Sequence, residues 1–110
     1  MTEQCSWETH HEDPGGAIRI VVRGDVDASV DEALAAVIVA TVEQCQVAVL
    51  VIDLAQVSFL GAAGIRALLR GRDAAAERGY RYRVVGAHGI AQYVLRVSGV
   101  AELLASLAGD

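Results

Sequence analysis

Three carboxylates in this 110-residue chain stand where strand-like runs end. Asp25 and Asp27 follow Ile18-Arg-Ile-Val-Val-Arg23, and Asp53 follows Val47-Ala-Val-Leu-Val-Ile52. An acidic pair holding Mg²⁺ beside a phosphoaccepting aspartate would use such a set. That chemistry also needs a lysine near the phosphoryl group, and the sequence contains no lysine. The same absence excludes a Schiff-base lysine and a P-loop lysine. The plainer role, in which Asp25 and Asp27 serve turns and the cap of a following helix, is favoured. His10 and His11 are adjacent, and on a strand they point to opposite faces, which is poor geometry for one metal. His88 is distant, and Cys5 and Cys45 are far apart in sequence, so no zinc spacing results. There is no Ser-His-Asp set and no Gly-rich phosphate loop. The expectation is a protein that is not an enzyme and uses neither cofactor nor metal.

What remains is surface chemistry around one segment. Asp53-Leu-Ala-Gln-Val-Ser-Phe-Leu-Gly-Ala-Ala-Gly-Ile-Arg-Ala-Leu-Leu69 joins an apolar run to a helical pattern. Within it, Gly61-Ala62-Ala63-Gly64 opens the helix with no side chain able to cap the free N–H groups there. Glycine is tolerated at that position within a few tenths of a kcal/mol of the polar caps. The bare amides could attract an anion, although ordinary hydration is the favoured reading. Arg66 and Arg70 are four apart and share a helix face, which Asp73 and Glu77 continue. A solvated, ion-paired face is worth little in stability; beside the turn it also suits docking, because the arginine fork binds carboxylates. Ser58 is the nearest hydroxyl, expected partly buried on the run into Phe59.

The elements that would position these residues follow from periodicity. Cys5, Trp7 and Thr9 alternate with polar residues, which predicts an edge strand over about 4–11. His11-Glu-Asp-Pro-Gly-Gly16 is a turn. Ile18–Arg23 predicts a second strand, ended by Gly24-Asp-Val-Asp27. Asp27 or Ser29 can cap the next helix, marked by Val30, Leu34, Val37, Ile38 and Val42 and running to about Gln44. Val47–Ile52, apolar without alternation, predicts a central strand covered on both faces, with Asp53 at its carboxyl end. A helix from Ile65, Leu68 and Leu69 runs to about Arg78 and stops at Gly79. Arg81–Val85 is a fourth strand. Ile90, Tyr93, Val94 and Val97 mark a third helix broken by Ser98-Gly99, and Val100, Leu103, Leu104 and Leu107 mark a last one. The order β-β-α-β-α-β-α-α, with right-handed crossovers, predicts one α/β domain with a mixed four-stranded sheet packed with helices.

Bulk properties agree. The composition, 54% hydrophobic and 21% charged, is that of a globular chain long enough for one core. The net charge of −5 argues against sequence-independent nucleic-acid binding. Residues 1–53 carry ten Asp/Glu against two Arg, and residues 54–110 carry four against seven. No apolar run approaches the ~20 residues that span a bilayer. The polar, acidic start lacks the features of a signal peptide, so a cytoplasmic location is expected. Cys5 and Cys45 make no disulfide framework; two reduced thiols are favoured, with a redox-active pair the alternative.

Three blocks, covering the chain from about Ala17 to Leu107, resemble the STAS domains of bacterial anti-sigma factor antagonists. Gly24-Asp25-Val26-Asp27 resembles the family's Gly-acid-hydrophobic-Asp after the second strand. Asp53–Leu69 resembles its central signature, the most specific of the three. Val97-Ser98-Gly99-Val100 resembles its hydrophobic-X-Gly-hydrophobic segment. The family's turn usually reads Asp-Ser-Ser-Gly, and its first serine is phosphorylated. By that alignment Ala62 takes the phosphoacceptor position, Ala63 that of the second serine, and Gly61 replaces the aspartate. Alanine accepts no phosphate, so the standard switch cannot operate at residue 62.

The resemblance implies a partner: an anti-sigma factor that is also an ATP-dependent serine kinase, captured so that a sigma factor is released. It implies a contact surface of Asp25, Asp27, Ser58, Gly61, Ala62, Ala63, Gly64, Arg66 and Arg70. Several readings stay open: an antagonist always competent to bind; one regulated through partner abundance, a thiol or Ser58; a STAS module of another system, such as a transporter accessory or small-ligand sensor; or alanines installed to lock the protein. A receiver-like phosphoaspartate domain on Asp25, Asp27 and Asp53 is the enzyme-like rival, and a homodimer is left open.

Overall fold

The computed structural model describes residues 5–12, 16–27, 30–44 and 48–99. Strands β1 (Ser6–Glu12) and β2 (Ala17–Val26) form an antiparallel hairpin. Helix α1 (Asp31–Gln44) leads to strand β3 (Val49–Leu60), helix α2 (Ala62–Glu77), strand β4 (Arg81–Val85) and helix α3 (Gly89–Val97). The sheet order is β1-β2-β3-β4, with β2, β3 and β4 parallel. The result is a single α/β domain with a mixed four-stranded sheet and three helices. The last predicted helix, and Ser29 as a cap, lie outside the described residues.

Register shows which residues share a face. Ile18, Leu50 and Tyr82 are aligned across β2, β3 and β4, as are Ile20, Ile52 and Val84. This face packs under α1 and α2, through Leu34, Ala35, Ile38 and Val42 of α1 and Ile65, Ala67, Leu68 and Ala75 of α2. Gly71 is the closest point: a Cβ there would lie 2.4 Å from Ile38 Cγ2 and 2.8 Å from the Tyr82 hydroxyl. Tyr82 is fully buried and donates its hydroxyl to the Leu68 carbonyl at 2.8 Å. Burial holds its phenol well above the usual tyrosine range, partly opposed by Arg72. The inward face of α2 is thus built largely from Gly and Ala, a pattern that apolar periodicity alone does not reveal.

On α3 the expectation needs correcting in detail. The helix forms where Ile90, Tyr93 and Val97 predicted it, but its buried residues are Ala91 and Leu95. Ile90, Tyr93 and Val97 are exposed. Helix α2 ends as Gly79 implied. Gly79 has φ +74°, its N–H bonds to the Ala76 carbonyl, and the Tyr80 N–H bonds to the Ala75 carbonyl. That pair of bonds is a Schellman motif.

Two strands run further than their sequences suggest. β2 does not stop at Gly24 but continues through Gly24-Asp25-Val26. β3 does not stop at Ile52, so Asp53 lies mid-strand. The cause is visible in the register. From Val21↔Asp53 to Arg23↔Gln56, β2 advances two residues while β3 advances three; from Gly24↔Val57 to Asp25↔Phe59 the steps are one and two. Each shift inserts one extra residue into β3, as a β-bulge does. Beyond Asp53 the buried residues of β3 therefore fall at Leu54, Val57 and Leu60. A spacing of three matches neither the strand period of two nor an extended helical stripe.

Candidate functional site

The bulged end of β3 builds the candidate site. β4 pairs with β3 from Val49↔Arg81 to Asp53↔Val85, so beyond Asp53 the strand beside β3, among the described residues, is β2 alone. Asp53 secures this junction. Its Oδ2 accepts a hydrogen bond from Arg19 Nη1 at 2.9 Å, and its Oδ1 accepts the Ala55 N–H at 2.9 Å. Gly86, at φ +80°, closes over the junction. A Cβ there would meet both the Ala55 nitrogen and Asp53 Oδ1 at 2.9 Å. His88 Nε2 lies 2.7 Å from the Ala55 carbonyl oxygen, so the tautomer carrying its proton on Nε2 donates to it.

Past the junction the strand delivers Ser58 and Phe59 to the surface. Ser58 is the extra residue of the second bulge and is exposed, not partly buried as its approach to Phe59 suggested. Phe59 stands opposite Asp25, and Leu60 opposite Val26. The Gly61 N–H then bonds to the Val26 carbonyl at 2.9 Å, which ties the turn to the end of β2. Gly61 is the N-cap of α2, with φ −89°, ψ 179° and no side-chain cap. Its own carbonyl accepts the Ile65 N–H at 3.1 Å.

The residues singled out from sequence divide into two groups. Asp25, Asp27, Ser58, Ala62, Arg66 and Arg70 are exposed and Gly61 is half-buried, all at or just past the ends of β2 and β3, in the turn or within the first nine residues of α2. Ala62, Arg66 and Arg70 follow one another at four-residue intervals along one stripe of α2. Ala63 and Gly64 are buried, so they shape the turn from beneath. A Cβ on Gly64 would lie 2.6 Å from Leu60 Cδ1 and 2.7 Å from Val26 Cγ1, which explains the glycine. Arg70 reaches Glu32 of α1 at 3.5 Å, and Arg72 pairs with Asp73 at 3.1 Å. The pairing of Arg70 expected within α2 is thus made across to α1. Both contacts are exposed and contribute little to stability. Arg66 has no ion-pair partner among the described residues.

The rival chemistries find no geometry. Asp53 is aligned with Val21, four residues before Asp25 on β2, and is held by Arg19, so the three aspartates form no acidic pocket. Among the described residues no group of three His, Cys, Asp or Glu could hold a metal. His10 and His11 are both exposed, and His10 lies 3.2 Å from Glu8. Cys5 is a half-buried free thiol. Burial first, then Asp27 and Asp25, push its pKa up. Cys45 lies outside the described residues. No described helix is long and apolar enough to cross a membrane.

Comparison with known proteins agrees with this architecture. SpoIIAA, an anti-sigma factor antagonist, in its unphosphorylated form is similar at TM-score 0.76 and 16% identity, over 88% of this chain and 84% of that one. An anti-sigma factor antagonist from Mycobacterium paratuberculosis is similar at TM-score 0.75 and 27% identity, over 90% and 83%. A sulfate transporter family protein from Wolinella succinogenes is similar at TM-score 0.70 and 22% identity, over 83% and 73%. No curated protein matches the sequence. The model of the family described as "Mlab, STAS domain" matches residues 10–105, nearly the whole chain. With the sheet order and the turn from β3 into α2 already in place, that match establishes that the chain belongs to the STAS domain family.

Proposed function

We propose that this protein is a non-enzymatic anti-sigma factor antagonist that captures an anti-sigma factor of the ATP-dependent serine kinase type. Capture releases a sigma factor and so promotes transcription. The protein works in the cytoplasm and needs neither cofactor nor nucleic acid. The supporting observation is the exposed surface at the ends of β2 and β3, where Asp25, Asp27, Ser58, Gly61 and Ala62 adjoin Arg66 and Arg70. The likeness at 27% identity to an anti-sigma factor antagonist supports the choice of partner class. Ala62 occupies the phosphoacceptor position in this reading. A phosphate there would bring about −1.5 to −2 charges into a packed interface, and alanine removes that means of release.

A second reading has its own support, since the matching family description names Mlab and not an antagonist. In it the same surface serves another system, such as a transporter accessory. Titration against the cognate kinase-type anti-sigma factor decides between them. Capture is expected to persist when ATP is added, and Ala62→Ser is expected to become ATP-sensitive. Absence of binding to that anti-sigma factor would favour the second reading. ATP-driven release of the unaltered protein would show that it has a switch elsewhere.

A further inference from the structure

We infer that Phe59 is the aromatic anchor of the docking surface. The inference rests on the antagonist reading above and deepens it. Within the bulged half of β3, Leu54, Val57 and Leu60 are 0–2% exposed, whereas Phe59 is 42% exposed. It is the chain's one phenylalanine. The second bulge places Ser58 as an extra residue, and the strand then turns Leu60, not Phe59, into the core.

The ring does not stand apart from the turn. Its Cε2 lies 3.3 Å from where a Gly61 Cβ would be, so the ring lies close against the residue that caps α2. Gly61 leaves room for that ring, in addition to starting the helix. On β2 the residue opposite is the exposed Asp25. An apolar ring is therefore bordered by Gly61 and by Asp25 of β2, with exposed Ala62 and Arg66 following in the next turn of chain.

This pattern defines the partner's chemistry. It is an apolar pocket on the anti-sigma factor, sized for one ring, with a cation beside it to meet Asp25 and a carboxylate to meet Arg66. Interface energy concentrates in a few such groups, aromatic and arginine side chains above all, ringed by contacts that exclude water. A second copy of this chain is disfavoured as the occupant. A two-fold contact centred on Phe59 would bring two copies of the acidic pair Asp25 and Asp27 together.

The test compares the unaltered protein with Phe59→Ala and Phe59→Leu in titrations against the kinase-type anti-sigma factor, with thermal unfolding run on each. Phe59→Ala is expected to weaken binding by roughly 30-fold or more, the scale of a hot-spot residue. Phe59→Leu is expected to fall between the two while unfolding close to the unaltered protein. Radical footprinting of the unaltered protein should show the Phe59 ring shielded in the complex. If the unaltered protein binds but both variants bind as tightly and the ring stays accessible, the anchor is overturned and the antagonist reading stands. If the unaltered protein does not bind at all, both are overturned.

Discussion

The two halves of β3 are built differently, and the contrast explains where the strand brings side chains to the surface. From Val49 to Asp53 the strand has β2 on one side and β4 on the other, in unbroken register. Leu50, Val51 and Ile52 are buried in succession, as a strand covered on both faces requires. From Leu54 to Leu60 only β2 remains alongside among the described residues, two bulges stretch the apolar spacing to three, and every third residue alone is buried. The regular half holds the domain together. The irregular half offers backbone and side chains to the outside, where α/β proteins place ligands, beyond the carboxyl ends of parallel strands. Bulges recur beside such sites because they re-aim side chains that a flat strand would bury.

The contrast can be tested from its largest expected effect downward. Leu50 is fully buried in the regular half, so Leu50→Ala should cost about 2–5 kcal/mol in chemical denaturation. Ser58→Ala, in the bulged half, should stay within about 0.5 kcal/mol of the unaltered protein. Equal losses at the two positions would erase the distinction. Gly71 comes next. Its added methyl would press on Ile38 and Tyr82, both fully buried. Alanine gains about 1 kcal/mol of helix propensity, yet Gly71→Ala should lose about 1–3 kcal/mol net through overpacking. That loss should lower the unfolding midpoint by about 4–8 °C per kcal/mol. A stabilised variant would mean that α1 and α2 can part enough to admit the methyl.

Of the three positions expected to lose stability, the junction between the halves should lose the least. Asp53→Ala removes both the Arg19 ion pair and the acceptor for the Ala55 N–H. It should cost about 1–2 kcal/mol, near the scale of a lost charge-assisted hydrogen bond. Asp53→Asn keeps one acceptor oxygen and should cost less. Amide hydrogen exchange at Ala55 sharpens the comparison. Exchange should quicken in Asp53→Ala and stay slow in Asp53→Asn; identical rates would remove Asp53 from any role in shaping the bulge.

Much of the fold was legible because local patterns and tertiary demands coincide. The hairpin, α1, the close of α2 at Gly79 and β4 over Arg81–Val85 all form where periodicity and turn residues indicate. Errors cluster at two places, each with its own cause. At β3 the extra residues broke the alternation that identifies a strand, so Asp53 read as a terminus. In α2 and α3 the buried faces include Gly64, Gly71, Ala75 and Ala91, small residues that carry little hydrophobic signal. They are inside because backbones approach closely there, a condition set by the neighbouring element and invisible in the helix's own sequence. Phe59 was missed as a surface residue for the first reason. An aromatic on an apolar strand reads as core unless the bulge that turns it outward is known.

The sequence by itself determined the order of elements, the family resemblance of Asp53–Leu69, and the absence of lysine and of a hydroxyl at residue 62. These are properties of residue type and local spacing. Only the tertiary structure decided that Ala63 and Gly64 lie beneath the turn while Ala62 lies on it, that Arg19 holds Asp53, and that Phe59 faces outward beside Asp25. The physical reason is register. One residue inserted between paired strands reverses which side chains meet the core and which meet the solvent, and that register is set by the partner strand rather than by the strand itself.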